Sequence, residues 1–283
     1  MRRACLMLLP ITFACAACDG PVWTETEPSE AVPALSGDFD PARCGTITGR
    51  VRWNGPIPVH PPIMIGVSSD NGSVHYRHYE NPNALRVDPG TRAVAGAVVF
   101  LEQVNPAQSR PWDHAAVRIE IHDADIRVMH GDQARHVGFV HRGDAIEMVS
   151  CEPAFHALRA RGAAFFSFAF PDPDKPIRRA LTKPGIVDLT SAAAKYWHQA
   201  YLFVGDHPYF ALTESDGLFT LPQVPVGEYR LACWLPNGDV ASIDRDPNMG
   251  LDIQRHYAPP FERRQAVSVT AKAETLVNFE LER

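Results

Sequence analysis

The chain has 283 residues, 45% of them apolar and 9% aromatic, enough to build cores for one or two globular domains. Its net charge is −6, from 27 basic and 33 acidic residues, and no run of five or more Lys/Arg occurs. That balance excludes the basic footprint of a nucleic-acid binder and the polybasic segment of a protein that docks on anionic lipid.

Met1-Arg2-Arg3 followed by the apolar stretch Ala4 to Ala17 has the form of a secretory leader, too short to span a bilayer comfortably. The small residues before Cys18 resemble a bacterial lipobox, so residues 1–17 are expected to be a signal peptide and Cys18 the lipidation site. Plain secretion after Ala16 or Ala17 is the alternative. Asp19 resembles an inner-membrane retention signal, which points to a lipid-anchored protein facing the periplasm. Residues 18–43 are acidic and proline-bearing without periodicity, and predict a flexible tether. With Cys5 and Cys15 in the leader, Cys44, Cys151 and Cys233 remain in an oxidising compartment. One disulfide and one buried thiol are expected, with all three pairings open.

Structure is predicted to start near Gly45, where Ile47, Gly49, Val51 and Trp53 alternate with polar residues up to the Asn54-Gly55-Pro56 turn. Residues 56–93, with several Gly and Pro turn signals, read as a loop-rich insertion, and the exposed pair His75 and His78 falls inside it. Val94 to Leu101 is a near-continuous apolar run that predicts a strand buried on both faces. Strands follow at 117–121, 126–128, 146–148 and 166–170, the last with Phe166, Phe168 and Phe170 on one face. Further strands are predicted at 185–189, 201–204, 209–213, 218–221, 229–233, 266–270 and 277–281. His130, His136 and His141 lie near strands, where alternation scatters them over both faces. Only 153–162 and 190–198 have helix-like composition. Asp216-Gly217 predicts a tight hairpin turn. The pattern is all-β, the signature of sandwiches or barrels.

Two segments carry more. The first is Ser150-Cys151-Glu152-Pro153-Ala154-Phe155-His156. The second runs from Pro184 through Ser191, Ala192, Ala194, Lys195, Tyr196, Trp197, His198 and Tyr201 to His207-Pro208-Tyr209, and closes with Pro225-Val226-Gly227-Glu228-Tyr229. Between Gly45 and Trp234 the chain resembles the plastocyanin-like (cupredoxin) lipoproteins of bacteria that carry a carboxypeptidase-regulatory, transthyretin-like β-module. The resemblance implies a cupredoxin-like sandwich over 44–204 and a carboxypeptidase-regulatory-like (Ig/transthyretin-like) sandwich over 205–283, the first strand at 45–53 being open to either.

In that family a Cys-x-x-His-x-x-Met loop supplies three of the four type 1 copper ligands. Here the loop is one residue longer. One register puts Ser191 and Ala194 on the Cys and His positions, and the other puts Ala192 and Lys195 there. His156 falls on the remaining ligand position, Arg159 on the next family histidine, and His198 near the axial position. A type 1 centre needs a thiolate and two imidazoles, so the resemblance implies a copper site that has been lost. The expected protein is then a non-catalytic cell-envelope binding or interaction module with no cofactor. Its partners would be the membrane, through the lipid, and an envelope protein or glycan. Two alternatives stay open. One is a copper or electron-transfer protein with an altered site using His156 and His198. The other is a carbohydrate-binding sandwich stacking sugars on Tyr196, Trp197 and Tyr201, for which core packing is the plainer reading. His207 precedes a proline and reads as a turn residue.

Overall fold

The computed structural model describes residues 38–69 and 72–283, so Cys18, the leader and tether residues 18–37 lie outside the described residues. The first strands are β1 (Cys44–Trp53), β2 (Ile63–Ser68), β3 (Val74–Tyr79), β4 (Arg86–Val87), β5 (Val94–Ala95) and β6 (Val98–Glu102). Next come β7 (Val117–Ile121), β8 (Ile126–His130), β9 (Gln133–Arg135), β10 (Val137–His141), β11 (Ala145–Ser150) and β12 (His156–Gly162). They are followed by β13 (Phe166–Phe170), β14 (Ile177–Ala180), β15 (Gly185–Ser191), β16 (Gln199–Gly205), β17 (Phe210–Leu212) and β18 (Leu218–Pro225). The last are β19 (Gly227–Leu235), β20 (Val240–Arg245), β21 (Asp252–Tyr257), β22 (Phe261–Val269), β23 (Glu274–Leu276) and β24 (Phe279–Leu281). The fold is all-β. Among the described residues the helical elements are two 3₁₀ turns, and no helix is long and apolar enough to cross a membrane.

Alternation along the strands explains how the sheets stack. In the first sheet β1 runs antiparallel to β18 and parallel to β23 and β24. Its Ile47, Val51 and Trp53 pack against Val99 and Leu101 of β6 and Leu231, Cys233 and Leu235 of β19. Those strands belong to the second sheet, of order β17-β6-β19-β22. The other faces of β6 and β19 carry Val98 and Trp234, which meet Phe139 of β10 and Tyr201 and Phe203 of β16. These lie in the third sheet, β10-β16-β15-β12-β13, whose far side (Leu202, Leu158, Leu189) packs on the fourth sheet, β14-β11-β7-β8-β9. Four sheets are thus layered, and the inner two are buried on both faces. The near-continuous apolar runs of β6 and β16 follow from that position.

Several expectations need correction. The segment 153–162 is a turn leading into β12, which pairs on one side with β13 and on the other with β15. Pairing on both edges, with His156, Leu158 and Ala160 buried, overrides its helix-like composition. Residues 190–198 finish β15 and then turn, also without a helix. The run at 94–101 splits into β5 and β6 at Gly96, whose φ is +79°. The insertion at 56–93 contains the β2–β3 hairpin and β4, which pairs with β5 just beyond it. Asp216-Gly217 does turn the chain, with Gly217 at φ +75°, but β17 leaves to pair with β6 and β18 to pair with β1. Cys44, Cys151 and Cys233 are all unpaired: Cys44 opens β1, Cys233 lies on β19, and Cys151 follows β11 in the other sandwich. Finally, the strands do not fall on either side of residue 204: β1, β5 and β6 lie with the strands after 209, and the sandwich built from 117–204 is inserted between them.

Candidate functional site

At one end of the 117–204 sandwich the β7–β8 turn, the 151–155 connection and the 192–198 loop meet the β2–β3 hairpin. Asp123, in the β7–β8 turn, joins them. Its Oδ1 accepts from Lys195 Nζ at 2.7 Å, and its Oδ2 accepts from Arg77 Nη1 at 2.9 Å and Tyr79 Oη at 3.1 Å. Its carbonyl accepts from Trp197 Nε1 at 2.7 Å and from His198 Nε2 at 3.1 Å, while its N–H donates to Glu152 Oε2 at 3.0 Å. Burial pushes the Asp123 carboxyl up, but the Lys195 ammonium, the Tyr79 hydroxyl and Arg77 outweigh it and hold the group below its ordinary range. Tyr79 also stacks flat on Trp197, centroids 4.7 Å apart.

The two histidines expected to matter are brought together here. His156 and His198 are buried, and their rings stack with centroids 6.1 Å apart and planes within 10°. Lys195 Nζ lies 3.5 Å from His156 Nδ1. An ammonium has no lone pair, so Nδ1 is the acceptor and Nε2 carries the proton. That Nε2 is buried without a partner. Burial first, and the Lys195 charge second, lower the His156 pKa. Burial lowers that of His198 to about 4, so both rings are neutral at neutral pH.

The residues that the resemblance would put on the other copper-ligand positions do not fit a type 1 ion. Ser191 Oγ is committed to the loop, accepting from the N–H groups of Ala193 at 2.9 Å and Lys195 at 3.4 Å. Ala192 and Ala194 carry no donor atom, and Ala194 turns the chain at φ 56°. Lys195 brings a cation to the imidazole. Arg159 alternates to the opposite face of β12 from His156 and bonds Thr190 and Gln254. This donor set supplies no thiolate, and one imidazole already faces an ammonium.

The three aromatic candidates separate. Tyr196 is half-buried with Arg255 over its ring at 4.7 Å, and Trp197 is covered by Tyr79. Tyr201 is buried at the sheet interface, its hydroxyl accepting from Asn83 Nδ2 at 2.8 Å. They offer no single flat exposed surface. His207 is buried against Phe210 and accepts from the N–H of Tyr209. His75 and His78 are exposed on β3, and His130, His136 and His141 are scattered over β8, the β9–β10 link and β10.

A groove passes beneath the β2–β3 hairpin and opens between the two sandwiches. Its widest part is a cleft of about 930 Å³ lined by both charges, Arg86, Arg127 and Arg135 together with Asp88, Asp125 and Glu214. A narrower part, of about 220 Å³, leads past His136 and Trp197 to Tyr79 and His78. Arg135 pairs with Glu214 at 3.3 Å and Arg127 with Asp125 at 3.1 Å. Asp123, Tyr79 and Arg86 were not among the sequence candidates. The only local signal was the His122-Asp123-Ala124-Asp125 turn, and nothing in it indicates a lysine 72 positions away. No protein-family model matches this chain, and comparison with curated proteins finds no match.

Proposed function

We propose that this chain is a non-catalytic binding or interaction protein of the cell envelope, anchored by lipid on Cys18. In this reading its inserted sandwich derives from a cupredoxin whose copper centre has been replaced by an internal ion pair. The observation that carries the reading is Lys195, whose ammonium lies between His156 and Asp123, at 3.5 and 2.7 Å. A cation fixed there does the structural work of a bound metal, tying three loops together without redox chemistry. The groove supports the binding half of the reading, since a mixed-charge cleft of about 930 Å³ suits a polar partner surface or chain.

Two measurements test it. A photo-crosslinking residue at Ala84 or Ser215, inside the groove, should trap a partner in intact cells, and Arg86→Glu should abolish the adduct. Adducts formed equally well from Arg178, on the outer sheet, would remove the groove from the proposal. Copper titration is the second: His156→Ala should leave copper binding unchanged, and loss of stoichiometric copper in that variant would restore the altered-copper reading. Anchoring is tested separately, since Cys18→Ser should release the protein from membranes.

A further inference from the structure

On the outer face of the fourth sheet, apart from Lys195 and His156, a different set of donors converges. Strand β7 turns Val117, Ile119 and Ile121 into the core, so Arg118, Glu120 and His122 alternate onto the opposite face. Strand β11 runs parallel beside it with Val149 level with Glu120. Cys151, whose N–H donates to the Ile121 carbonyl at 3.0 Å, continues that register and arrives beside His122. A carboxylate oxygen of Glu120, an imidazole nitrogen of His122 and the Cys151 sulfur all lie within 4.8 Å of one another.

We propose that Glu120, His122 and Cys151 form a binding site for one zinc-class divalent ion, with a fourth position open to water. The donor types are those zinc takes: a thiolate, an imidazole and a carboxylate. In a tetrahedral zinc site, bond lengths of about 2.0–2.3 Å put donors roughly 3.3–3.8 Å apart. Rotation of Glu120 and Cys151 about their side-chain bonds covers the difference. Two anions balance the ion's charge.

The surroundings are arranged as supports. His122 Nδ1 lies 3.6 Å from Glu152 Oε1, and Nε2 lies 3.6 Å from Glu120 Oε2, buried and without a hydrogen-bond partner. A carboxylate behind one ring nitrogen orients the other toward a metal. Glu120 is itself held by Arg118 Nε at 3.3 Å, and Arg118 by Glu147 at 3.1 Å. Burial and the Glu120 charge raise the Cys151 pKa. Zinc binds the thiolate, so the thiol proton would leave as the ion binds.

The test uses full-length protein with Zn(II) by calorimetry and Co(II) by absorbance. One ion per chain is expected, and Co(II) should give a thiolate charge-transfer band. Cys151→Ser should abolish that band, and Cys151→Ser, His122→Ala and Glu120→Gln should each weaken Zn(II) at least about tenfold. His75→Ala, on the exposed strand β3, should change neither. No stoichiometric zinc, a cobalt spectrum without a thiolate band, or zinc retained in Cys151→Ser and lost in His156→Ala would each overturn the site.

Discussion

His198 and His207 are neutral because the fold holds them where an imidazolium is poorly solvated, each with a pKa lowered from 6.5 to about 4 by burial. The sign of the consequence follows from proton counting. Between those two values the unfolded chain binds a proton that the folded chain refuses, so stability is full above pH 6.5 and falls as pH drops toward 4. Each ring contributes up to about 3 kcal/mol of that loss. Burial lowers His114, His130, His136 and His156 as well, in the same direction. Urea midpoints should therefore drop steeply from pH 6.5 to pH 4, and His198→Gln, whose amide can still donate to the Asp123 carbonyl, should flatten the profile. An unchanged slope in that variant would remove His198 as a cause. Lys195 gives a second prediction. Lys195→Met takes one of three side-chain donors from the Asp123 carboxylate and should cost about 1–3 kcal/mol. It also removes a positive charge beside His156, so the His156 pKa should rise yet stay below 6.5, because burial, its larger cause, persists. NMR titration of the ring reads this directly.

At the scale of elements, strands whose alternation is set by one buried face were legible in the sequence: β7, β8 and β13 lie where the apolar period puts them. The missed strands lacked that period for physical reasons. β3 is exposed at most positions, and β2 alternates with it in a two-stranded hairpin that has no core of its own. β10 carries Gly138, which permits a close approach to Val128 and Leu202 but interrupts the apolar pattern. β12 is rich in Ala and Arg, whose helix preference of under about 1 kcal/mol per residue is small beside two ladders of hydrogen bonds and the burial of Leu158. Gly49 in β1 offers the sharpest test at this scale. A Cβ there would stand 1.7 Å from the Val277 carbonyl oxygen and 2.8 Å from the Phe219 ring. Both neighbours are fixed, one by backbone and one by the core, so Gly49→Ala should cost more than about 3 kcal/mol. Gly90→Ala, whose Cβ would meet only Asp88 Oδ1 at 3.5 Å, should change stability by less than about 0.5 kcal/mol. Equal denaturant midpoints for the two variants would contradict the packing described for β1.

For the whole molecule, the sequence showed that 94–101 is buried on both faces but could not say what covers the second face. That answer depends on β10 and β16 arriving from the inserted sandwich. The same holds for the site: His156 and His198 were visible as side chains, whereas their stacking, the hand of Lys195 and the Asp123 hub arise only when loops from distant strands meet. The layer that joins the sandwiches has an energetic consequence. Trp234 lies 4.9 Å from Tyr201 and 5.2 Å from Phe203, both edge-on, and Phe100, Phe139 and Phe210 continue the layer. Neither inner sheet can leave the other without exposing these rings to water. Truncating Trp234 to Ala should cost about 3–5 kcal/mol. Because the rings belong to both bodies at once, the loss should lower protection of β1 and β7 amides by the same amount in hydrogen exchange, and calorimetry should show one transition. Two resolved transitions, or a Trp234→Ala effect confined to β1, would mean that each sandwich is stable alone and that the aromatic layer only docks them.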